Sequence, residues 1–476
     1  MAFIRYKKRG EKWYVYTVTA FWDKVARTPR QKSTYIGVAQ EKNGPYEKLG
    51  RVKKSKSKEH VIEKSIVDFG DSYAIQEVIK NIGLNTIIEE TLNYGDSLKA
   101  LLCYQMTEGK AMYHCLDWME GNIASTLFPQ AKLESQDISR MFNYLGNQSI
   151  QNTFFTRYLT HFFKDTHGVL IDSTALPSAI NTAISACGYS SAGLVEHVSC
   201  LMLVDKKTQL PLYFRAISGE LADVSTLQTT LKEIQLLGLK VEEAIFDAGY
   251  FSEKNIQYLC EQKINFISRL PKSRIVFKEL VKKAGNLETC EQAIHYGKRV
   301  VFVKTLETEA FGEKLAAHVI LDPYKKVKDT QRLLIEADDD SKSPGDVNEA
   351  MAYCGFFILI SRAPIKPEDV LPTYYTRQSI EQVFGIAKSQ ASILPLRVHS
   401  EQSIKGYLLL VFISLIIFMS MRQKLKKEYT VEQALLILRS LKAKKYDAEI
   451  LVQENTKKVK DIAKLLDVIM PINLGI

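Results

Sequence analysis

"YYTRQSIEQVFGIAK", residues 374–388, is the segment on which the reading of this chain turns. Ile380, Val383, Phe384 and Ile386 give it the apolar side of a helix, while Tyr374, Arg377, Glu381 and Lys388 recur at offsets of 0, 3, 7 and 14. At about 100° of turn per residue those four project within roughly 60° of one another. The spacing therefore predicts one helix with a phenol, a guanidinium, a carboxylate and an ammonium on a single strip. A carboxylate flanked by cations along a line suits a substrate with a repeating phosphate backbone, one phosphate of which lies at Glu381.

Upstream, two aspartates have unusual settings. In "HGVLIDSTALP" (167–177) the apolar run from Gly168 closes at Asp172 and is followed by small polar residues. In "VEEAIFDAGYF" (241–251) an apolar strand runs into Asp247 and then Gly249. Each aspartate alone reads as a cap or turn residue. Together with Glu381 they are three carboxylates, which repel one another at a shared site unless cations neutralise them. An oxygen-only donor set suits Mg²⁺ or Mn²⁺. Two such ions roughly 3.5–4 Å apart activate the attacking oxygen and stabilise the leaving one in an in-line displacement at phosphorus.

The elements between these acids give the architecture. "HVSCLMLVD" (197–205), "LPLYFRAI" (210–217) and "NFISRL" (265–270) have strand texture, and "DVSTLQTTLKEIQLLG" (223–238) and "SEKNIQYLCEQK" (252–263) that of helices. The order is β-β-β-α-β-α-β, which predicts a mixed sheet with helices on its faces. From 273 to 350 the rhythm breaks into what looks like a β-rich insertion, and "CGFFILIS" (354–361) resumes the core.

The flanks differ from this centre. Residues 1–60 hold 16 Lys/Arg against 5 Asp/Glu, so the remaining 416 residues are close to neutral within a total of +10. "KWYVYTVTAFW" (12–22) and "KSTYIGVA" (32–39) read as strands of a basic β-hairpin with interleaved aromatics. Such a surface suits a polyanion with bases, although a solvated hairpin with core aromatics has the same composition. Residues 61–164 have helical periodicity, with candidate helices at 72–82, 97–108 and 149–164, and one in "SQDISRMFNYLG" with Ser135 as its cap. The basic tail 422–476 reads as helical, with a Thr430–Gln433 capping box.

Composition excludes several classes. With 46% hydrophobic and 25% charged residues among 476, the chain is globular and spans more than one structural unit. Seven scattered cysteines without a C-x-x-C pair argue against a disulfide framework or a structural zinc site. His197 with Cys200, and His114 with Cys115, lack a second pair to complete a metal site. Asp205 reads as a turn residue and Asp223 as a helix cap. The basic N-terminus lacks the apolar core of a signal peptide. "GYLLLVFISLIIFMSM" (406–421) is shorter than the ~20 residues of a membrane span and reads as a buried core helix.

Tyr374-x2-Arg377-x3-Glu381-x6-Lys388 resembles the Tyr-Arg-Glu-Lys signature of DDE transposases from bacterial insertion sequences. The contexts "LIDST", "GYSSAG" (188–193), "ADVSTL" (222–227), "AIFDAGYFSEKNI" and "FISRLP" resemble that family too, over about 165–420. Glu220 departs from the pattern, standing where many relatives carry Asn. The resemblance implies an α/β, RNase H-like catalytic core with a mixed five-stranded sheet and flanking helices. That core would comprise residues 165–272 and 351–421, interrupted by the insertion 273–350. It would be preceded by the basic region 1–60 and a helical, DNA-end-binding region 61–164. Asp172, Asp247 and Glu381 would be the catalytic, metal-binding acids, for two Mg²⁺ ions with Mn²⁺ as a substitute. Tyr374, Arg377 and Lys388 would hold DNA. The implied activity is cleavage at the inverted-repeat ends of the element and strand transfer into target DNA. Double-stranded DNA is the implied partner, the active complex a homodimer and the setting cytoplasmic, nucleoid-associated when DNA is bound, without a membrane. A nuclease of the same fold that never joins strands, and a DNA-binding descendant that has lost catalysis, remain alternatives.

Overall fold

The computed structural model describes residues 2–23, 28–48, 65–178, 182, 184–190, 193–220, 223–337, 344–389, 391, 393–394, 396, 398, 400–446 and 449–475. The chain forms two compact units, 1–64 and 65–476. In the first, strands Ala2–Arg9, Lys12–Asp23, Thr28–Ala39 and Tyr46–Lys48 make an antiparallel sheet in chain order.

In the second unit five strands build the centre: β1 (Thr166–Pro177), β2 (Gly193–Asp205), β3 (Pro211–Ser218), β4 (Lys240–Phe246) and β5 (Asn265–Arg269). They lie in the order β3-β2-β1-β4-β5. β2 runs antiparallel to both β1 and β3, whereas β4 is parallel to β1 and β5 parallel to β4. Val169, Leu170 and Ile171 on β1 and Ala244, Ile245 and Phe246 on β4 have no solvent exposure. Such unbroken apolar runs are what central parallel strands require when both sheet faces are covered.

Strands of the insertion and the strand after it continue this sheet. β6 (Arg299–Ala310), β7 (Glu313–Leu321) and β8 (Phe356–Ser361) are antiparallel neighbours, and β8 pairs with β5. The "DDDSKS" part of the loop at 338–346 and Ser191 and Ala192 of "GYSSAG" lie outside the described residues.

Helical residues 70–162 pack around the end of the chain. Helix α1 (Ser135–Leu145) crosses the long helix α4 (Glu401–Leu425) at backbone contact: a Cβ on Gly146 would lie 1.8 Å from the Gln402 carbonyl oxygen, and one on Gly406 1.9 Å from that of Phe142. Only glycine permits that approach at either position. Ser135 is the first residue of α1 rather than its cap, and the position before it is Glu134, in extended backbone. By length and composition α4 passes as a membrane span, yet 94% of its most apolar window is buried within the protein.

The tail corrects its all-helical reading. Helices Val431–Arg439 and Lys457–Leu465 are present, the first with the Thr430–Gln433 capping box. Between and after them, strands Lys442–Lys445, Glu449–Val452 and Asn473–Gly475 form a sheet with Ser65–Asp68. A neighbouring strand on one side and the distant Ser65–Asp68 on the other overrode the local helical texture of Lys442–Lys445.

Candidate active site

Ile171 on β1 and Phe246 on β4 are register partners in the parallel pairing. The residues immediately after them, Asp172 and Asp247, therefore stand side by side where that pairing stops, about one interstrand spacing of ~4.8 Å apart. β4 ends at Phe246, as the sequence indicates. β1 does not end at Asp172. It continues to Pro177 because β2 keeps pairing with it as far as His197, so Asp172 lies within a strand that has just lost one neighbour. Each carboxylate accepts the next residue's backbone N–H: Asp172 Oδ1 from Ser173 at 2.9 Å, and Asp247 Oδ1 from Ala248 at 2.8 Å. These bonds fix the carboxylates' orientation without using their remaining oxygens.

The segment 374–388 is two helices, not one. Helix α2 (Pro367–Tyr375) and helix α3 (Gln378–Ser389) meet at a turn of Thr376 and Arg377. Bonding tightens there to three-residue spacing: Arg377 N–H donates to Tyr374 at 3.2 Å, and Ile380 N–H to Arg377 at 3.0 Å. The hydroxyls of Thr376 and Ser379 bond back to the carbonyls of Pro372 and Thr376, a habit of Ser and Thr that bends helices. The single-helix strip is corrected accordingly. Tyr374 leaves the solvent-facing line and is 4% exposed. Its hydroxyl donates to Asp247 Oδ1 at 3.2 Å. Burial, reinforced by the Asp247 charge, pushes its pKa far above the ordinary phenol value, so it remains a donor.

Arg377 occupies the centre. Its Nη1 is 3.2 Å from Asp172 Oδ2 and 3.7 Å from Asp247 Oδ2, and its Nη2 is 3.3 Å from Glu381 Oε1. One guanidinium thus collects the three acids from β1, the end of β4 and α3. Burial opposes its charge, but Asp247, Tyr374, Asp172 and Glu381 together raise its pKa above the usual arginine value. The site is open on one side: the Asp172 side chain is 18% exposed, Asp247 41% and Glu381 54%. Lys388 is exposed two turns beyond Glu381 on α3, about 10 Å further along the axis, and is not among the cations paired with the acids.

Among the described residues no group of three or more His, Cys, Asp or Glu is spaced to hold a metal ion. At the acid cluster the cation present is Arg377. His197 and Cys200 are buried within β2, and all seven cysteines are free thiols. What the sequence missed is this bridging role of Arg377. Its only local sign is the four-residue spacing to Glu381, which lets an arginine and a carboxylate pair along a helix.

Residues 164–417 match the family model described as "Transposase DDE domain". No curated protein matches the chain. Among solved structures, a cryo-EM structure of the piggyBac transposase synaptic complex with hairpin DNA aligns with 83% of this chain and 70% of that chain, at 10% identity and a TM-score of 0.38.

Proposed function

The chain belongs to the transposase DDE-domain family, and from that premise we propose that Asp172, Asp247 and Glu381 are its catalytic acids, cutting DNA at the ends of an insertion sequence and joining the freed 3′ end to target DNA. The observation that carries the assignment is the meeting of these three side chains at one guanidinium, from positions 172, 247 and 381. The strand order β3-β2-β1-β4-β5, with β2 antiparallel and β4 and β5 parallel to β1, supports an RNase H-like core. The Tyr-Arg-Glu-Lys spacing supports the bacterial subgroup that bears this signature, and with it a cytoplasmic, nucleoid-associated setting.

The donor set fits divalent cations. All three groups are carboxylates, Asp247 and Glu381 are open to solvent, and each aspartate keeps an oxygen that its neighbouring N–H does not occupy. Asp172, Asp247 and Glu381 would hold Mg²⁺, two ions by the family pattern, with Mn²⁺ as a substitute. Bound there, the ions supply charge neutralisation at phosphorus and a more acidic attacking hydroxyl. The chain's own residues do the rest. Ser173 and Ala248 N–H aim the aspartates, and the Tyr374 hydroxyl holds Asp247 from the other side. Arg377 balances the acids, and with cations held there its guanidinium would be left to a backbone phosphate. Lys388 contacts the duplex further along α3. Tyr374 reaches DNA only by giving up Asp247. Two element ends processed together require two such sites, hence a homodimer on DNA.

The test is a labelled duplex carrying the DNA that flanks this gene, incubated with the protein and Mg²⁺ or Mn²⁺ beside Glu381→Gln. Metal-dependent cutting at a fixed end together with joined products, both absent in the variant, is the expected result. Cutting without joining would make the protein a nuclease, and binding without cutting in either protein would leave a DNA-binding descendant.

A further inference from the structure

One face of the N-terminal unit's sheet gathers rings and cations. In its sheet Arg5 is paired with Tyr16 and Lys7 with Tyr14, and Tyr16 is paired in turn with Tyr35. Directly opposed residues project from the same side of an antiparallel sheet. A bulge between Val15 and Tyr16 shifts the third strand so that Tyr35 lies against both tyrosines, with ring centroids 5.9 Å from Tyr14 and 5.4 Å from Tyr16. The Lys7 ammonium lies 5.7 Å from the centre of the Tyr16 ring, and the Arg5 guanidinium 5.4 Å from that of Phe3. Cations of the first strand thus stand beside rings of the first and second strands, and the third adds Tyr35.

This face is partly open: Val18, opposite Phe3, is buried on it, while Tyr14 and Tyr16 are half-buried. Phe3 is 44% and Tyr35 38% exposed, and Trp22 near the strand end reaches 61%. Val15, Val18 and Ala39 are the buried apolar side chains among the described residues of this unit. Residues 1–60 also carry a charge balance of +11 in a chain whose remainder is nearly neutral.

We propose that this face binds an unpaired DNA strand, with bases stacked on Tyr14, Tyr16 and Tyr35 and phosphates held by Arg5 and Lys7. In a duplex the base faces are already covered by their neighbours, so ring surfaces gain nothing there and a duplex-phosphate site needs only cations. Rings set between cations are what a strand with open base faces uses. The choice of DNA over RNA rests on the transposase reading; the stacking surface does not.

The test uses the full-length protein without divalent cations and a fluorescent oligothymidylate of ~12 nucleotides, beside a duplex of the same length. Tyr16→Ala with Tyr35→Ala should weaken single-strand binding about tenfold or more while leaving duplex binding nearly unchanged. Tyr16→Phe with Tyr35→Phe keeps the rings and should bind as the unmodified protein does. Arg5→Gln with Lys7→Gln should lower the salt slope of single-strand binding by about 1. The proposal is overturned if the alanine pair weakens strand and duplex alike or neither, or if the phenylalanine pair loses as much as the alanine pair. Absence of end cleavage in every protein, the unmodified one included, would sink the transposase chemistry and leave this surface standing.

Discussion

Arg377 and Arg439 each hold two or more carboxylates, and their surroundings set them to opposite uses. Arg439 Nε is 3.0 Å from Asp71 Oδ2, and its Nη2 is 3.0 Å from Glu108 Oε1 and 2.6 Å from the Thr107 carbonyl oxygen. Asp71 has no solvent exposure and also accepts the Ser72 N–H at 2.7 Å. Glu108 has a second cation in Lys110 at 3.1 Å. This cluster ties the helix Gly70–Asn81 to the helix Val431–Arg439 around a carboxylate that water does not reach, although Arg439 itself is 28% exposed. Around Arg377, by contrast, three acids share one guanidinium and two of them are 41% and 54% exposed. The acids differ rather than the guanidinium groups: a carboxylate closed to water must keep its arginine, whereas carboxylates open to solvent can take other cations in its place.

The largest break in this comparison should come from the acids of the open cluster. Asp172→Asn, Asp247→Asn and Glu381→Gln should each lower end cleavage by roughly 10³-fold or more, because groups that act as one unit fail as one. For Asp247 and Glu381 the urea midpoints should remain close to that of the unmodified protein, since exposed ion pairs contribute about 1 kcal/mol or less, whereas Asp172, only 18% exposed, should shift further. Normal cleavage by any of the three would remove that residue from the site.

Arg439→Met should do the reverse, costing about 3–5 kcal/mol of stability by stranding a buried carboxylate. Its pH dependence has a definite sign. Burial already pushes the Asp71 carboxyl above its ordinary value, with the Arg439 hydrogen bond pulling it back. Without Arg439 the folded-state value rises further. The folded protein then binds a proton that the unfolded chain has released, so stability falls as pH rises from about 4 to that folded value and is flat above it. Relative to the unmodified protein, the variant should recover at low pH in urea titrations. A deficit constant with pH would show that Asp71 is not the stranded group.

How much of this was legible in the sequence depends on how local the cause was. The β-β-β-α-β-α-β order and the setting of Asp247 follow from apolar runs with turn residues at their ends, which neighbours along the chain determine. The continuation of β1 past Asp172 depends on a partner strand, and the two-helix form of 374–388 depends on hydroxyl back-bonds at Thr376 and Ser379. Arg377 pairs with Asp172 across 205 residues, and Lys442 with Asp68 across 374. No periodicity within either segment encodes such contacts. The strip on 374–388 put Arg377 beside Glu381 correctly, but as a contact for DNA alone rather than as the cation that balances the acids.

Arg377→Met sharpens the comparison at intermediate size. Removing the guanidinium frees Asp172 and Glu381 for other cations, so Mn²⁺ should bind the DNA-free protein about tenfold more tightly, read by electron paramagnetic resonance titration. That factor corresponds to about 1.4 kcal/mol, the scale of a partly exposed charge-assisted pair. End cleavage should nevertheless fall, because the cation that would meet the phosphate is gone. Unchanged Mn²⁺ affinity would mean that the guanidinium does not stand where cations bind.

The smallest effect belongs to Tyr374→Phe, which removes only the hydroxyl donated to Asp247 Oδ1 at 3.2 Å. Asp247 is 41% exposed, so water replaces the lost donor and the cost is held to about 1 kcal/mol, or roughly fivefold in cleavage rate. Because burial and the Asp247 charge keep the phenol protonated far above neutrality, the variant's rate–pH profile should parallel that of the unmodified protein from pH 6 to 10, as expected for a group with a strongly raised pKa. A profile that changed shape in that range would make Tyr374 a proton donor or acceptor in the reaction rather than the group that holds Asp247 in place.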